Sequence, residues 1–156
     1  MCGIIGISSN KSVSGNIINS LKKLEYRGYD SAGIATLFEG EIKEVKSEGR
    51  VDTLEQNFDL KNLKGNIGIG HVRWATHGVP NSVNAHPHSS DNVSVVHNGI
   101  IENSTILKKY LTNKGHLFKS QTDTEVIVHL ITENLKTNDL EEAIKQTLKQ
   151  LHGSFA

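Results

Sequence analysis

Residues 1–7 read Met1-Cys2-Gly3-Ile4-Ile5-Gly6-Ile7, and the only cysteine of the 156-residue chain stands at position 2. With Ser8 the run has the isoleucine-rich character of a short buried strand. Chain termini fray unless something holds them, and a thiol used only for packing belongs in the middle of an element. Two readings follow. Cys2 is a small apolar filler at the head of a strand, or it becomes residue one when Met1 is removed and then carries a thiol and a free α-amine together. Such an amine titrates near ~7.7–8.0, which suits a general base at neutral pH. A thiol beside a base is a strong nucleophile.

Working outward, the chain has the length of about one domain and enough residues to bury a core. Its 17 basic and 17 acidic residues cancel, with no block of like charge, which argues against nucleic acid or an anionic membrane as partner. One cysteine excludes an internal disulfide framework and fits a reducing compartment. No stretch approaches the ~20 apolar residues of a membrane span, and the start lacks the basic and apolar regions of a signal peptide. The expectation is a soluble, cytoplasmic protein.

After the strand at 3–8, residues 16–24 place Ile17, Ile18, Leu21 and Leu24 on one helical face. A second apolar run at 34–38, a Glu39-Gly40 turn and residues 41–47 predict a hairpin. Strands are also expected at 66–72 and 93–97. The second half reads as helical: 104–114 with a stop at Gly115, a helix opened by the capping-box match Thr122-Asp123-Thr124-Glu125 and running through 135, and a third capped near Asp139. That third helix would bury the stripe Leu140, Ile144, Leu148 and Leu151. Between strand and helix lies RWATHGVPNSVNAHPHSSDN (73–92), which holds both prolines and the only tryptophan, Trp74. An irregular segment this long in a compact domain reads as a lid or binding loop.

Several residues have two readings each. Arginine occurs only at 27, 50 and 73, against fourteen lysines, and a sequence that prefers lysine tends to use arginine where its rigid fork matters. Arg73, directly after a predicted strand, is either a carboxylate clamp or a packing residue. His97-Asn98-Gly99 is either a strand-ending turn, the stronger reading for Asn-Gly alone, or a pair of donors for an oxyanion hole. Asp123 either offsets a helix dipole or receives a substrate ammonium. His77, His86 and His88 invite a zinc site. The chain nevertheless has no HExxH, no second cysteine and no acid at ligand spacing, so no metal and no cofactor is expected. Gly65, Gly68 and Gly70 lack the third glycine and the following helix of a phosphate loop.

Taken together, CGIIGI at 2–7, LEYRGYDSAG at 24–33, GHVRWATHG at 70–78, NAHPH at 84–88, VHNGIIEN at 96–103 and SQTDTEV at 120–126 resemble the class II glutamine amidotransferases. The wording EYRGYDSAG and RWATHGxPxxxNAHPH is similar to the branch that makes amino sugars. The resemblance implies an α+β fold, the four-layer α/β/β/α sandwich of antiparallel sheets of the N-terminal-nucleophile hydrolases. It covers 2–156 as a glutaminase domain that would be truncated on its C-terminal side.

The roles it implies are Cys2 as nucleophile, Asn98 and Gly99 as oxyanion hole, and Arg73 as clamp on the α-carboxylate of L-glutamine. Thr76 and His77 would lie in the closing loop, and Asp123, with Gly99, would receive the ammonium. Trp74 would gate ammonia, and Arg27 would support the nucleophile from behind. Fructose 6-phosphate would be met only through a separate isomerase domain, in a homodimeric full-length enzyme. The alternatives are a non-catalytic chain that keeps a glutamine pocket and a zinc hydrolase built on His77, His86 and His88.

Overall fold

The computed structural model describes residues 2–90 and 92–156, and of Lys61 the backbone alone. Strand β1 (Gly3–Ser8) is the edge of a four-stranded antiparallel sheet ordered β1-β4-β2-β3, with β2 at Ser31–Phe38, β3 at Glu41–Glu48 and β4 at Ile67–Arg73. The expected β2–β3 hairpin forms around Glu39-Gly40, both at positive φ, and pairs Phe38 with Glu41 through to Ser31 with Glu48. In β4, Val72 lies opposite Gly3 on one side and Ala32 on the other. The head of the chain is therefore fixed by a ladder rather than free to fray.

Helix α1 (Ser14–Leu24) and the short α2 (Val51–Asn57) cover one face of this sheet. Val13, Ile17, Ile18 and Leu21 pack with Ala32, Ile34, Val51, Leu54, Leu63 and Val72 into one apolar cluster. The β4 glycines make that contact possible. A Cβ on Gly70 would lie 2.5 Å from Ile17, and one on Gly68 2.7 Å from it. These glycines seat a helix, which accounts for a glycine pattern that matched no phosphate loop.

On the other face run two ribbons, β5 (His88–Ser90) with β6 (Val93–Val95), and β7 (Gly99–Ile101) with β8 (Gly153–Phe155). Behind them stand α3 (Ser104–Asn113), α4 (Glu125–Asn134) and α5 (Leu140–Gln150). Ile101, Leu107, Leu111, Val126, Ile127, Leu130 and Leu151 form a second apolar cluster. The result is the expected α/β/β/α order of antiparallel sheets. The contact between the two sheet layers is unlike either cluster: it is lined by His71, His86, His88 and His97, all buried.

Three local expectations are corrected, and α2 is an addition to them. The Asn98-Gly99 pair makes no hairpin turn; Asn98 exchanges both backbone hydrogen bonds with Ala156, at 2.9 and 2.8 Å, and Gly99 opens β7. The capping box at 122–125 does not form. Thr122 Oγ1 bonds Ser120 and His88 instead, Glu125 accepts the Lys119 and Ser120 N–H groups, and α4 begins at Glu125. Of the expected stripe only Leu151 is buried: Leu140, Ile144 and Leu148 on α5 face solvent at 61%, 40% and 52% exposure, while Ala143 and Thr147 are buried. Helix α2, with only Val51 and Leu54 buried across seven residues, is too short to show a period.

Candidate functional site

The cleft takes shape where β1, β4 and β7 end. Its volume is about 330 Å³, and its lining includes Cys2, Arg73, Thr76, His77, Asn98 and Asp123, with Trp74 and Gly99. All seven residues that the sequence pointed to as contacting substrate or reacting atoms, and the expected gate Trp74, share one concavity although they come from four separate segments. Arg27 does not line it. Its guanidinium lies over the Tyr26 ring, 5.1 Å from the centroid.

Cys2 is half-buried at the mouth of β1. The Trp74 N–H points at Sγ from 3.4 Å, the Trp74 carbonyl lies 3.6 Å from it, and Asn98 Nδ2 donates to the Cys2 carbonyl at 3.3 Å. Burial pushes the thiol up from its ordinary value, while the Trp74 N–H pulls it down. A thiol held this way needs a base to ionise it. Met1, whose removal would free the α-amine, lies outside the described residues.

Arg73 ends β4 and is 3% exposed. Its Nη2 donates to the carbonyls of His77 and of Gly78, the latter at 3.2 Å. Its Nη1 lies 3.8 Å from Asp30 and has no hydrogen-bond partner among the described residues. A buried cation with a free donor at a cleft wall is suited to a carboxylate.

Across the cleft, Asp123 is buried at 7% exposure just before α4. One of its oxygens accepts the Ile101 N–H at 2.7 Å, and the other is 3.9 Å from His77 Nδ1. It is thus tied to β7 and does not act as an acid inside the helix's first turn. His77 also meets Thr76 Oγ1 at 3.2 Å. A cation, a carboxylate and a thiol lining one cleft fit a zwitterion whose side chain is to be attacked.

Gly99 has φ +148° and lies so close to β8 that a Cβ would collide with the Ser154 carbonyl. Only glycine fits there, and its N–H is left beside Asn98.

Asp30 was missed in the sequence. It accepts the Ala75 N–H and the Ser31 hydroxyl, the latter at 2.9 Å, and its own N–H donates to the Arg73 carbonyl. Gly28 beside it runs so near the Arg73–Trp74 peptide that a Cβ would sit 2.6 Å from the Arg73 carbonyl. The signal was an acid placed between Gly28 and the start of a strand, in a segment that the resemblance had already marked. Among the described residues no three metal-binding side chains converge, and no helix is long and apolar enough to cross a membrane.

Comparison with known proteins adds to this geometry. A profile of the glutamine amidotransferase domain matches residues 71–156. The chain is 55% identical to the glutamine–fructose-6-phosphate aminotransferase [isomerizing] of Pyrococcus horikoshii, over 100% of this chain and 27% of that protein. It is 54% identical to the protein of the same name from Mesorhizobium japonicum, over 100% of this chain and 26% of the relative. The chain thus spans about a quarter of the length of these curated relatives. Among solved structures, glutamine phosphoribosylpyrophosphate amidotransferase from B. subtilis, complexed with ADP and GMP, superposes with a TM-score of 0.83 at 33% identity. That match covers 100% of this chain and 34% of the other.

Proposed function

We propose that this chain, which belongs to the glutamine amidotransferase domain family, hydrolyses the side-chain amide of L-glutamine with Cys2 as nucleophile. The observation that carries the reading is the grouping of Cys2, Arg73 and Asp123 around one cleft of about 330 Å³. Glutamine presents an α-carboxylate, an α-ammonium and a neutral amide. Arg73 Nη1 takes the carboxylate with Thr76 and His77, and Asp123 and the Gly99 backbone take the ammonium.

With Met1 removed, the Cys2 amine accepts the thiol proton and Sγ attacks the amide carbon. Asn98 Nδ2 and the Gly99 N–H receive the developing oxyanion; Nδ2 has a second N–H besides the one that meets the Cys2 carbonyl. The held proton passes to the leaving nitrogen, ammonia departs, and water hydrolyses the thioester to glutamate. Arg27 supports this machinery from outside the cleft.

In a longer protein of the kind it resembles, the ammonia would pass Trp74 to an isomerase domain, converting fructose 6-phosphate to glucosamine 6-phosphate in a cytoplasmic homodimer. Residues 2–156 then belong to the glutaminase domain of that protein. Intact mass before and after incubation with an electrophilic glutamine analogue tests the reading. Loss of Met1 and a single adduct mapped to Cys2, suppressed by L-glutamine, is the expected result. An adduct elsewhere, or none on a chain that has lost Met1, overturns it.

A further inference from the structure

Asn98 and Gly99 are flanked on one side by β8 and on the other by His97, whose peptide and ring are held at three points. The His97 carbonyl meets His71 Nε2 at 3.0 Å, its N–H points at His86 Nδ1 from 3.4 Å, and its ring Nδ1 meets Thr124 Oγ1 at 2.8 Å. Thr124 Oγ1 also meets His86 Nε2 at 3.3 Å. The His71 and His86 rings stack with centroids 4.1 Å apart, and the His97 ring follows at 6.5 Å, tilted only 18° from His86. All three residues are at most 5% exposed.

Donor and acceptor rules fix the tautomers of His71 and His86. A carbonyl only accepts, so His71 carries its proton on Nε2. A peptide N–H only donates, so His86 Nδ1 is bare and its proton is on Nε2, facing Thr124. The threonine hydroxyl accepts there, and with a second lone pair as well as its own hydrogen it meets His97 Nδ1 as acceptor or as donor. The contacts thus place the protons of His71 and His86 on Nε2, and burial keeps both rings neutral.

We propose that His71 and His86 are positioning residues that hold the His97 peptide and so aim the Asn98–Gly99 donors at the developing oxyanion. Neither needs to touch substrate through the atoms that do this work. The proposal rests on the glutaminase reading for its kinetic consequence, but not for its structural one. A donor displaced by about 1 Å can lower turnover by ~10²-fold. Replacing His71 by leucine removes the Nε2 donor, whereas glutamine in its place can present an amide N–H to the same carbonyl.

The test uses the whole chain, labelled with 15N in its imidazoles and backbone. Neutral Nε2–H rings for His71 and His86 between pH 7 and 8 are expected. His71→Leu should shift the Gly99 amide resonance and lower kcat for glutamine by ~10–10², with KM within about threefold. His71→Gln should restore both readouts. A charged ring or an Nδ1–H tautomer at His71 or His86 overturns the proposal, as does a folded His71→Leu with an unmoved Gly99 signal. The tautomer measurement stands if His71→Leu does not fold. If the parent chain itself hydrolyses no glutamine, the functional reading fails while the resonances still decide the positioning role.

Discussion

At the scale of the residue, the proposed function divides the site into groups that bind and groups that act on the reacting atoms, and the two should respond differently to substitution. Asn98→Ala removes one of two oxyanion donors, so kcat should fall by ~10²–10³; steady-state rates within threefold of the parent would rule out that role. Asp123→Asn keeps an oxygen that can accept the Ile101 N–H but loses the charge. Loss of a charge-assisted bond of ~1.5–3 kcal/mol should raise KM for glutamine by about ten- to a hundredfold, with kcat and melting temperature little changed. A large fall in stability with KM unmoved would show that the carboxylate serves β7 alone. Residue types carried much of this in the sequence: a lone cysteine at position 2 and a rare arginine after a strand stand out by chemistry. Asp30 did not, because its importance lies in the Ala75 N–H and the Arg73 carbonyl it meets, partners some forty-five residues away.

At the scale of the element, glycines and irregular segments place the site more than the helices do. The 28–30 segment lies against the Arg73–Trp74 peptide, which in turn meets the Cys2 thiol. Gly28→Ala drives a methyl group into that peptide, for an overpacking cost of ~1–3 kcal/mol. Denaturant titration should show it, and alkylation of Cys2 by the glutamine analogue should slow in the folded fraction; unchanged reactivity would mean the segment only supports the fold. Strands and long helices were legible from period and turn chemistry. The Asn98-Gly99 turn and the α5 stripe were not, because each was decided by partners distant in sequence: Ala156 for Asn98, and for α5 the α4 face against which Ala143 and Thr147 turn. Local pattern cannot reveal which side of a helix its neighbour occupies.

At the scale of the whole molecule, the layer between the sheets sets the response to acid. Burial lowers His71 to about 3; burial, with Lys46 nearby, lowers His88 to about 3; burial and the adjoining histidines hold His86 well below its ordinary value. Unfolded histidines titrate near ~6.5. Between that value and the folded ones the unfolded chain binds more protons, so stability is full above pH ~6.5 and is lost as the pH falls toward about 3. Each buried ring contributes a slope of up to about 1.4 kcal/mol per pH unit. The urea midpoint should therefore drop markedly between pH 7 and pH 5, and a flat profile would show that the rings are already charged or reachable by water.

The pairing of Asn98 with Ala156, and of Gly99 with Phe155, also orders events on the ribosome. At roughly 5–20 residues per second, Cys2 emerges on the order of ten seconds before its oxyanion segment can be stitched into place. On the proposed reading, the thiol spends that interval without the Asn98–Gly99 donors that its reaction needs.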